Sequence, residues 1–336
     1  MPGAVLLAII VFGAGLISCL GTYALIPVLR RTAVLDRPNE RSLHEMPTPR
    51  GGGIAVVAAI LGAWLVLMLA EAVAAPLIAV ILGAGMLAAV SWLDDLRGVS
   101  PVVRLAVQFI AVGLGMLAVM PAEPVFQGWL PPAIDFVAAM LLWVWFVNLF
   151  NFMDGSDGLA GSEAAAIGGG LVLFATFGAG HDPALATLAA AIAAAAIGFL
   201  VWNWAPARIF LGDVGSVPLG YLLGFLLLAA AARGYWKIAL ILPLYFLADA
   251  TITLLRRLAR GERVWRPHRE HFYQRAVQRG LGHAAVARRV IAANLVLIGG
   301  GWAAENGWGS FGLMLAAAAV LALLASLVGT DRRGAA

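Results

Sequence analysis

The chain alternates long apolar runs with short polar segments. Runs bounded by charged and turn residues give about eleven candidate spans: 4–29, 52–70, 76–93, 101–120, 133–150, 160–178, 184–203, 214–231, 237–256, 288–303 and 310–329. Each approaches the ~20 apolar residues a helix needs to cross the hydrocarbon core of a bilayer. The expectation is an all-α polytopic membrane protein, because in lipid a helix satisfies its own backbone hydrogen bonds. No repeat and no low-complexity linker divides residues 1–336, so they read as a single transmembrane domain. The first run is long and has no basic residue before it, so it reads as a spanning helix rather than a cleaved signal peptide.

Composition agrees with the pattern. Hydrophobic residues make up 62% of the 336 positions and charged residues 12%, with a mean hydropathy of +0.93. A soluble domain carries about 25% charged residues. The single cysteine, Cys19, lies in the first run and excludes both an intrachain disulfide and a thiolate metal site. The net charge of +4 says less than its distribution. Odd-numbered spans put the loops 30–51, 94–100, 151–159, 204–213 and 257–287 on one side, with the C-terminal tail. With basic residues at span ends counted with their adjoining loops, all but Arg233 and Lys237 of the 22 lysines and arginines fall there. The positive-inside rule therefore predicts a cytoplasmic C-terminus and an outside N-terminus. Topology accounts for the basic residues, and no nucleic-acid partner is expected.

The acids capable of chemistry share that side: Asp94 and Asp95 in "WLDD", Asp154 and Asp157 in "NFMDGSDGLAG", and Asp213 in "RIFLGDVGS". Singly, each has a structural explanation, since Asp-Gly pairs form turns. Together, on one face of a chain with only 18 acids, they mark a site. Adjacent Asp94 and Asp95 would repel each other unless a cation or a proton relieved them. Carboxylates without a nearby cysteine suit Mg²⁺ or Mn²⁺, cations often shared with substrate phosphates. Glycines 155, 158, 212 and 215 would let backbone amides approach a phosphate. Asp213 precedes a helix, so Val214, Gly215 and Ser216 would present their amides to an anion. Arg41, His44 and Arg50 in the first loop are candidates to clamp phosphate oxygens, although topology alone explains basic residues there. His268 and His271 are expected to hydrogen-bond phosphate or sugar rather than bind zinc. His181 and His283 read as solvated loop residues. Trp265, Phe272 and Tyr273 read as headgroup-interface aromatics. Asp249 lies within an apolar span, where an acid faces protein or a polar groove, and its role is open.

Four segments in order, "PTPRGGG" (47–53), "WLDD" (92–95), "NLFNFMDGSDGLAG" (148–161) and "NWAPARIFLGDVGS" (203–216), resemble the polyprenyl-phosphate N-acetylhexosamine-1-phosphate transferases, glycosyltransferase family 4. "WRPHREHFYQR" after "DATITLLRRLARGE" is most similar to the branch that initiates O-antigen and related surface polysaccharides. The resemblance implies a UDP-N-acetylhexosamine donor, an undecaprenyl phosphate acceptor, Mg²⁺ (or Mn²⁺) and a place in the bacterial inner membrane; the oligomeric state is left open by the sequence, a homodimer included. It implies that Asp94 and Asp95 activate or position the lipid phosphate. Asp213 would bind the metal, with Asn151 as a second contact. Asp154 and Asp157 would be nucleotide-side acids, and Gly155, Asn203 and Phe210 would line the uridine. Asn148, opening its segment, joins the substrate-binding set. His268, Arg269 and His271 would surround diphosphate and sugar. Family members often keep consecutive histidines there, whereas "PHREH" separates them, so which one inherits the role is open. Pro218 also departs from the family pattern and is expected in the first turn of its helix, where proline is tolerated.

Two other readings fit the sequence less well. A transporter or flippase of anionic lipid-linked sugars would hold its substrate near the midplane between repeated halves. Other intramembrane transferases with aspartate motifs would need acids or an arginine that "DDLRG" and "DGLAG" lack.

Overall fold

The computed structural model describes residues 2–36, 43, 44, 46–70, 76–119, 124–263 and 268–329. In chain order the elements are α1 (Pro2–Arg31), β1 (Leu35–Asp36), β2 (Thr48–Pro49), α2 (Gly53–Leu69), α3 (Leu77–Arg97), α4 (Pro101–Val119), α5 (Pro132–Phe152), α6 (Leu159–Phe177) and α7 (Pro183–Asn203). There follow α8 (Asp213–Ala232), α9 (Trp236–Ile241), α10 (Leu244–Ala259), α11 (Phe272–Gln278), α12 (His283–Glu305) and α13 (Gly309–Val328). The chain is an all-α, multi-pass membrane protein. Among the described residues nine helices are long and apolar enough to cross a membrane, and α2, at 17 residues, falls just short.

The expected single span 237–256 is instead two helices. Pro243 has no amide proton to continue the ladder, so α9 ends at Ile241 and α10 starts afresh at Leu244. Several helices also outrun their expected ends. α3 continues to Arg97 and so carries Asp94 and Asp95 within it, and α5 continues to Phe152. Pro218 falls in the second turn of α8 rather than the first, inside the helix.

α8 is the centre of the bundle. Its spanning window is 94% buried, against 22% for α1, which lies on the outside. Around α8 pack α2, α3, α5 and α9, while α1 leans on α7 and α2. Close approach is built in where α2 begins. A Cβ on Gly53 would overlap the Cα of Gly215, so only glycines let these two helix starts meet. Stacked Trp143 and Tyr221 join α5 to α8 deeper in the core, with centroids 4.9 Å apart.

Consecutive helices reverse direction, so the C-terminal ends of α3, α5, α7 and α10 gather with the starts of α2, α4, α6, α8 and α12. The chemistry-bearing loops converge at that end. At the other end Arg233 pairs with Asp182 at 3.3 Å and Lys237 with Glu305 at 3.4 Å.

Candidate active site

The first loop reaches the site by pairing backbone to backbone. β1 and β2 form an antiparallel pair, and a parallel bridge then joins Arg50 to Phe210. The Phe210 amide donates to the Pro49 carbonyl (2.8 Å), while the Gly51 and Gly52 amides donate to the Phe210 carbonyl (3.1 and 2.9 Å). Gly51 has φ +124°, a conformation side-chain-bearing residues rarely adopt, so the glycine run is what lets the chain turn here. The result sets the Arg50 guanidinium between two carboxylates, 2.8 Å from Asp95 Oδ1 and 2.6 Å from Asp213 Oδ1.

Asp94 and Asp95 diverge, because neighbours on a helix point about 100° apart. Asp94 accepts from the Val99 amide (2.6 Å) and from Arg104 Nη1 (2.7 Å). Asp95 accepts from the Asp213 and Val214 amides (3.2 and 3.0 Å) as well as from Arg50. The repulsion expected of the pair is thus relieved by two arginines, one per acid. Arg104 also lies 3.7 Å from Asp213 Oδ2, so Asp213 stands between two guanidiniums. The amides expected to greet an anion are already engaged. Asp95 takes the Val214 amide along with that of Asp213, and the Gly215 and Ser216 amides both donate to the Gly212 carbonyl at 3.0 Å. Asn151 Nδ2 donates to Asp213 Oδ1 (3.1 Å) and Ser216 Oγ (2.8 Å), tying the end of α5 to the start of α8.

Beside this charge cluster lies a pocket of about 240 Å³. Arg50, Asn151, Asp154, Gly155, Asp157, Asn203, Phe210 and Asp213 line it together with His44, Ser156, Gln274 and His283. Asp154 is half-buried, and burial, then the charges of Asp213 and Asp95, push its carboxyl well above the usual carboxylate range against the pull of Arg50. Asp157 accepts from the Ala207 amide at 3.0 Å. Asn203 accepts from the Gly158 amide (3.0 Å) and donates to the Ile209 carbonyl (2.9 Å), so it locks two pocket loops together. His44 meets the Phe210 ring edge-on, with centroids 4.8 Å apart.

Of the four glycines expected to admit a phosphate, Gly155 and Gly212 line the pocket. Gly158 instead makes a left-handed turn at φ +73°, and Gly215 admits Gly53. Three further expectations are corrected. His283 is no solvated loop residue: it starts α12, its Nδ1 lies 2.9 Å from Ser156 Oγ and accepts from the Asp157 amide at 3.3 Å, and its Nε2 donates to the Leu43 carbonyl at 3.3 Å. Phe272 and Tyr273 are not interface aromatics but buried residues that begin α11. His181 is exposed, as expected, whereas Trp265 and Arg41 lie outside the described residues.

Asn148, His268, Arg269 and His271 do not line the pocket. Asn148 and Gln108 exchange amide hydrogen bonds (2.7 and 3.3 Å), joining α5 to α4. His268 is half-buried, and burial, with His271 and Arg257 nearby, lowers its pKa to about 4. His271 is buried against Asp249. Among the site residues that the sequence does not single out, three stand out. Arg104 was visible as a charge inside an apolar span, Gln274 as the fourth residue of an H-x-x-Q capping box, and His283 only as a residue after a glycine turn.

A family model described as Glycosyl transferase family 4 matches residues 77–231, from α3 to α8, which carry every candidate acid of the site. The chain is 31% identical over 265 residues to the phospho-N-acetylmuramoyl-pentapeptide-transferase of Synechococcus elongatus, covering 71% of this chain and 69% of that relative. The chain belongs to glycosyl transferase family 4. It is similar also to a probable undecaprenyl-phosphate N-acetylglucosaminyl 1-phosphate transferase of Bacillus subtilis, 27% identical over 289 residues, 80% of this chain and 78% of that one. A decaprenyl-phosphate N-acetylglucosaminephosphotransferase of Mycolicibacterium smegmatis is 27% identical over 371 aligned positions, 98% of this chain and 89% of its own length. The family resemblance read from the motifs is borne out, and the chain is a membrane transferase.

The donor set suits a hard divalent cation shared with substrate. Among the described residues no three acidic, histidine or cysteine side chains gather closely enough to hold a metal unaided. Mg²⁺ seldom needs such a cage: one or two carboxylates with substrate phosphates and water suffice. Asp213 would offer a carboxylate to such a cation, and Asn151, with its Nδ2 turned to Asp213 and Ser216, would offer Oδ1.

Proposed function

We propose that this protein transfers N-acetylhexosamine-1-phosphate from a UDP-N-acetylhexosamine to undecaprenyl phosphate. The products are undecaprenyl-diphospho-N-acetylhexosamine and UMP. The reaction would run at the cytoplasmic face of a bacterial inner membrane, within one transmembrane domain of eleven crossings. It would start a surface polysaccharide such as O-antigen.

The observation that carries the reading is the Arg50 bridge between Asp95 and Asp213, with the polar pocket beside it and Arg104 beyond it. Two anionic phosphates must meet, and fixed positive charge is what brings them together. In this account the nucleotide enters the pocket, with the uridine among Asp157, Asn203, Phe210 and His44 and the diphosphate towards Arg50. The lipid phosphate approaches from the Asp94 and Arg104 side. One of its oxygens attacks the sugar-bearing phosphorus in line. A new P–O bond forms there, and the bond from that phosphorus to the bridging oxygen of UMP breaks. The attacking oxygen is already ionised near neutral pH, so Asp94 and Asp95 act by placing arginines and helix starts rather than by removing a proton. A Mg²⁺ or Mn²⁺ held by Asp213 and Asn151 would neutralise charge on the diphosphate. The basic bias of the loops around the pocket supports a cytoplasmic site.

A panel of UDP-sugars with undecaprenyl phosphate and Mg²⁺ tests the proposal. UMP release with at least one UDP-N-acetylhexosamine is expected, and its absence with all of them would reject the reading.

A further inference from the structure

Asp249 is fully buried in α10, and the charged partner its carboxylate meets among the described residues is His271. An ionised carboxylate survives burial only where donors replace water. Asp249 has five. Oδ1 accepts from the Phe272 amide (3.0 Å), His271 Nδ1 (3.1 Å) and Thr253 Oγ1 (3.4 Å). Oδ2 accepts from the Tyr245 hydroxyl (3.2 Å) and the Tyr273 amide (3.3 Å). Three of the donors come from residues 271–273, so one carboxylate pins the start of α11 to α10 across the last large loop. His271, 2% exposed, faces Asp249 and does not line the pocket. Its backbone amide closes a second tie, donating to Gln274 Oε1 at 3.2 Å.

Two side chains of α11 carry the consequence to the pocket. Gln274 lines it directly. The Tyr273 hydroxyl donates to the Phe152 carbonyl at 3.1 Å and lies so close to Gly155 that a Cβ there would overlap it. Tyr273 therefore braces the loop bearing Asp154, Gly155 and Asp157, the side of the pocket assigned above to the nucleotide sugar.

We propose that Asp249 is a positioning residue for the donor. Through His271 and Tyr273 it sets the seat of Gln274 and of the Asp154–Asp157 loop, while the acceptor side, built by Asp94 and Arg104 on α3 and α4, stands independent of it. This rests on the transferase reading above.

The test is Asp249→Asn in the full chain, which keeps the volume but puts an amide donor where only acceptors fit. The KM for the UDP-N-acetylhexosamine should rise about tenfold or more, with the KM for undecaprenyl phosphate held within about twofold, as expected when a reacting group is misplaced on one side only. Tyr273→Phe, which deletes one hydroxyl and keeps the buried ring, should move the donor KM in the same direction by a smaller factor. If Asp249→Asn does not accumulate as folded protein, Tyr273→Phe alone decides. An unchanged donor KM, an equal rise in both KM values, or a fall in kcat alone overturns the assignment. A wild-type protein that releases no UMP from any donor overturns the transferase reading instead.

Discussion

Arg50 and Asp213 are 163 residues apart in the chain, yet Nη2 of one lies 2.6 Å from Oδ1 of the other. The same nitrogen lies 2.8 Å from Asp95, whose carboxylate side chain is wholly buried. Removing Arg50 leaves two facing acids without the cation between them. Arg50→Ala should lower turnover by about 10²–10³-fold, the usual loss when a preorganised charge aimed at the reacting group is deleted. Arg50→Lys should recover only part of it, because a compact ammonium lacks the planar fork. Steady-state rates of the purified variants check both.

Asp154 carries a signature in stability. Its carboxyl is raised well above the ordinary range by burial and by Asp213 and Asp95. The unfolded chain releases that proton near the ordinary aspartate value of about 3.9. Above that pH the folded state holds more protons than the unfolded one, so this group's contribution to stability falls as pH rises. The fall ends once pH passes the folded pKa. Asp154→Asn, which mimics the protonated form, should melt with wild type near about pH 4 and above it near about pH 7.5. Melting curves in detergent read the difference, and a gap that fails to widen with pH would contradict this.

Gly155 meets the Tyr273 hydroxyl where a Cβ would overlap it. Gly155→Ala should therefore cost activity by displacing the loop, and adding Tyr273→Phe should restore part of the loss. The rate of the double variant should exceed that of Gly155→Ala alone, a non-additivity expected only of residues in contact.

His283 ties the first loop to the acidic loop through Leu43, Ser156 and the Asp157 amide. His283→Ala should raise the donor KM about five- to tenfold, within what is lost with one or two positioned hydrogen bonds. The acceptor KM should not change. His268, lowered to about 4, is neutral across the working range, so His268→Gln should leave the shape of the pH–rate profile unchanged.

Much of this architecture was legible in the chain. The apolar runs mark the helices because bilayer thickness sets their length, and the motifs mark the acids and Arg50. Which helix lies in the middle was not legible. α8 and α1 are both apolar all round, so periodicity does not separate a helix buried by protein from one facing lipid. The break before α10 was written in Pro243, but high hydropathy on both sides hid it. Asp249 reads only as facing protein or a polar groove, because three of its donors come from residues 22 to 24 positions away, two of them backbone amides that carry no sequence signal. Arg104 shows in the sequence only as a basic residue one turn inside its span, where such residues are ordinary.

The central claim is that a phosphate moves with the sugar, and the fate of one phosphorus atom tests it most directly. UDP-N-acetylhexosamine labelled at the β-phosphorus should be incubated with the protein, undecaprenyl phosphate and Mg²⁺, and the lipid extracted. The account predicts label in the lipid fraction and unlabelled UMP in the aqueous one. Label left in water as UDP, with sugar alone on the lipid, would contradict it.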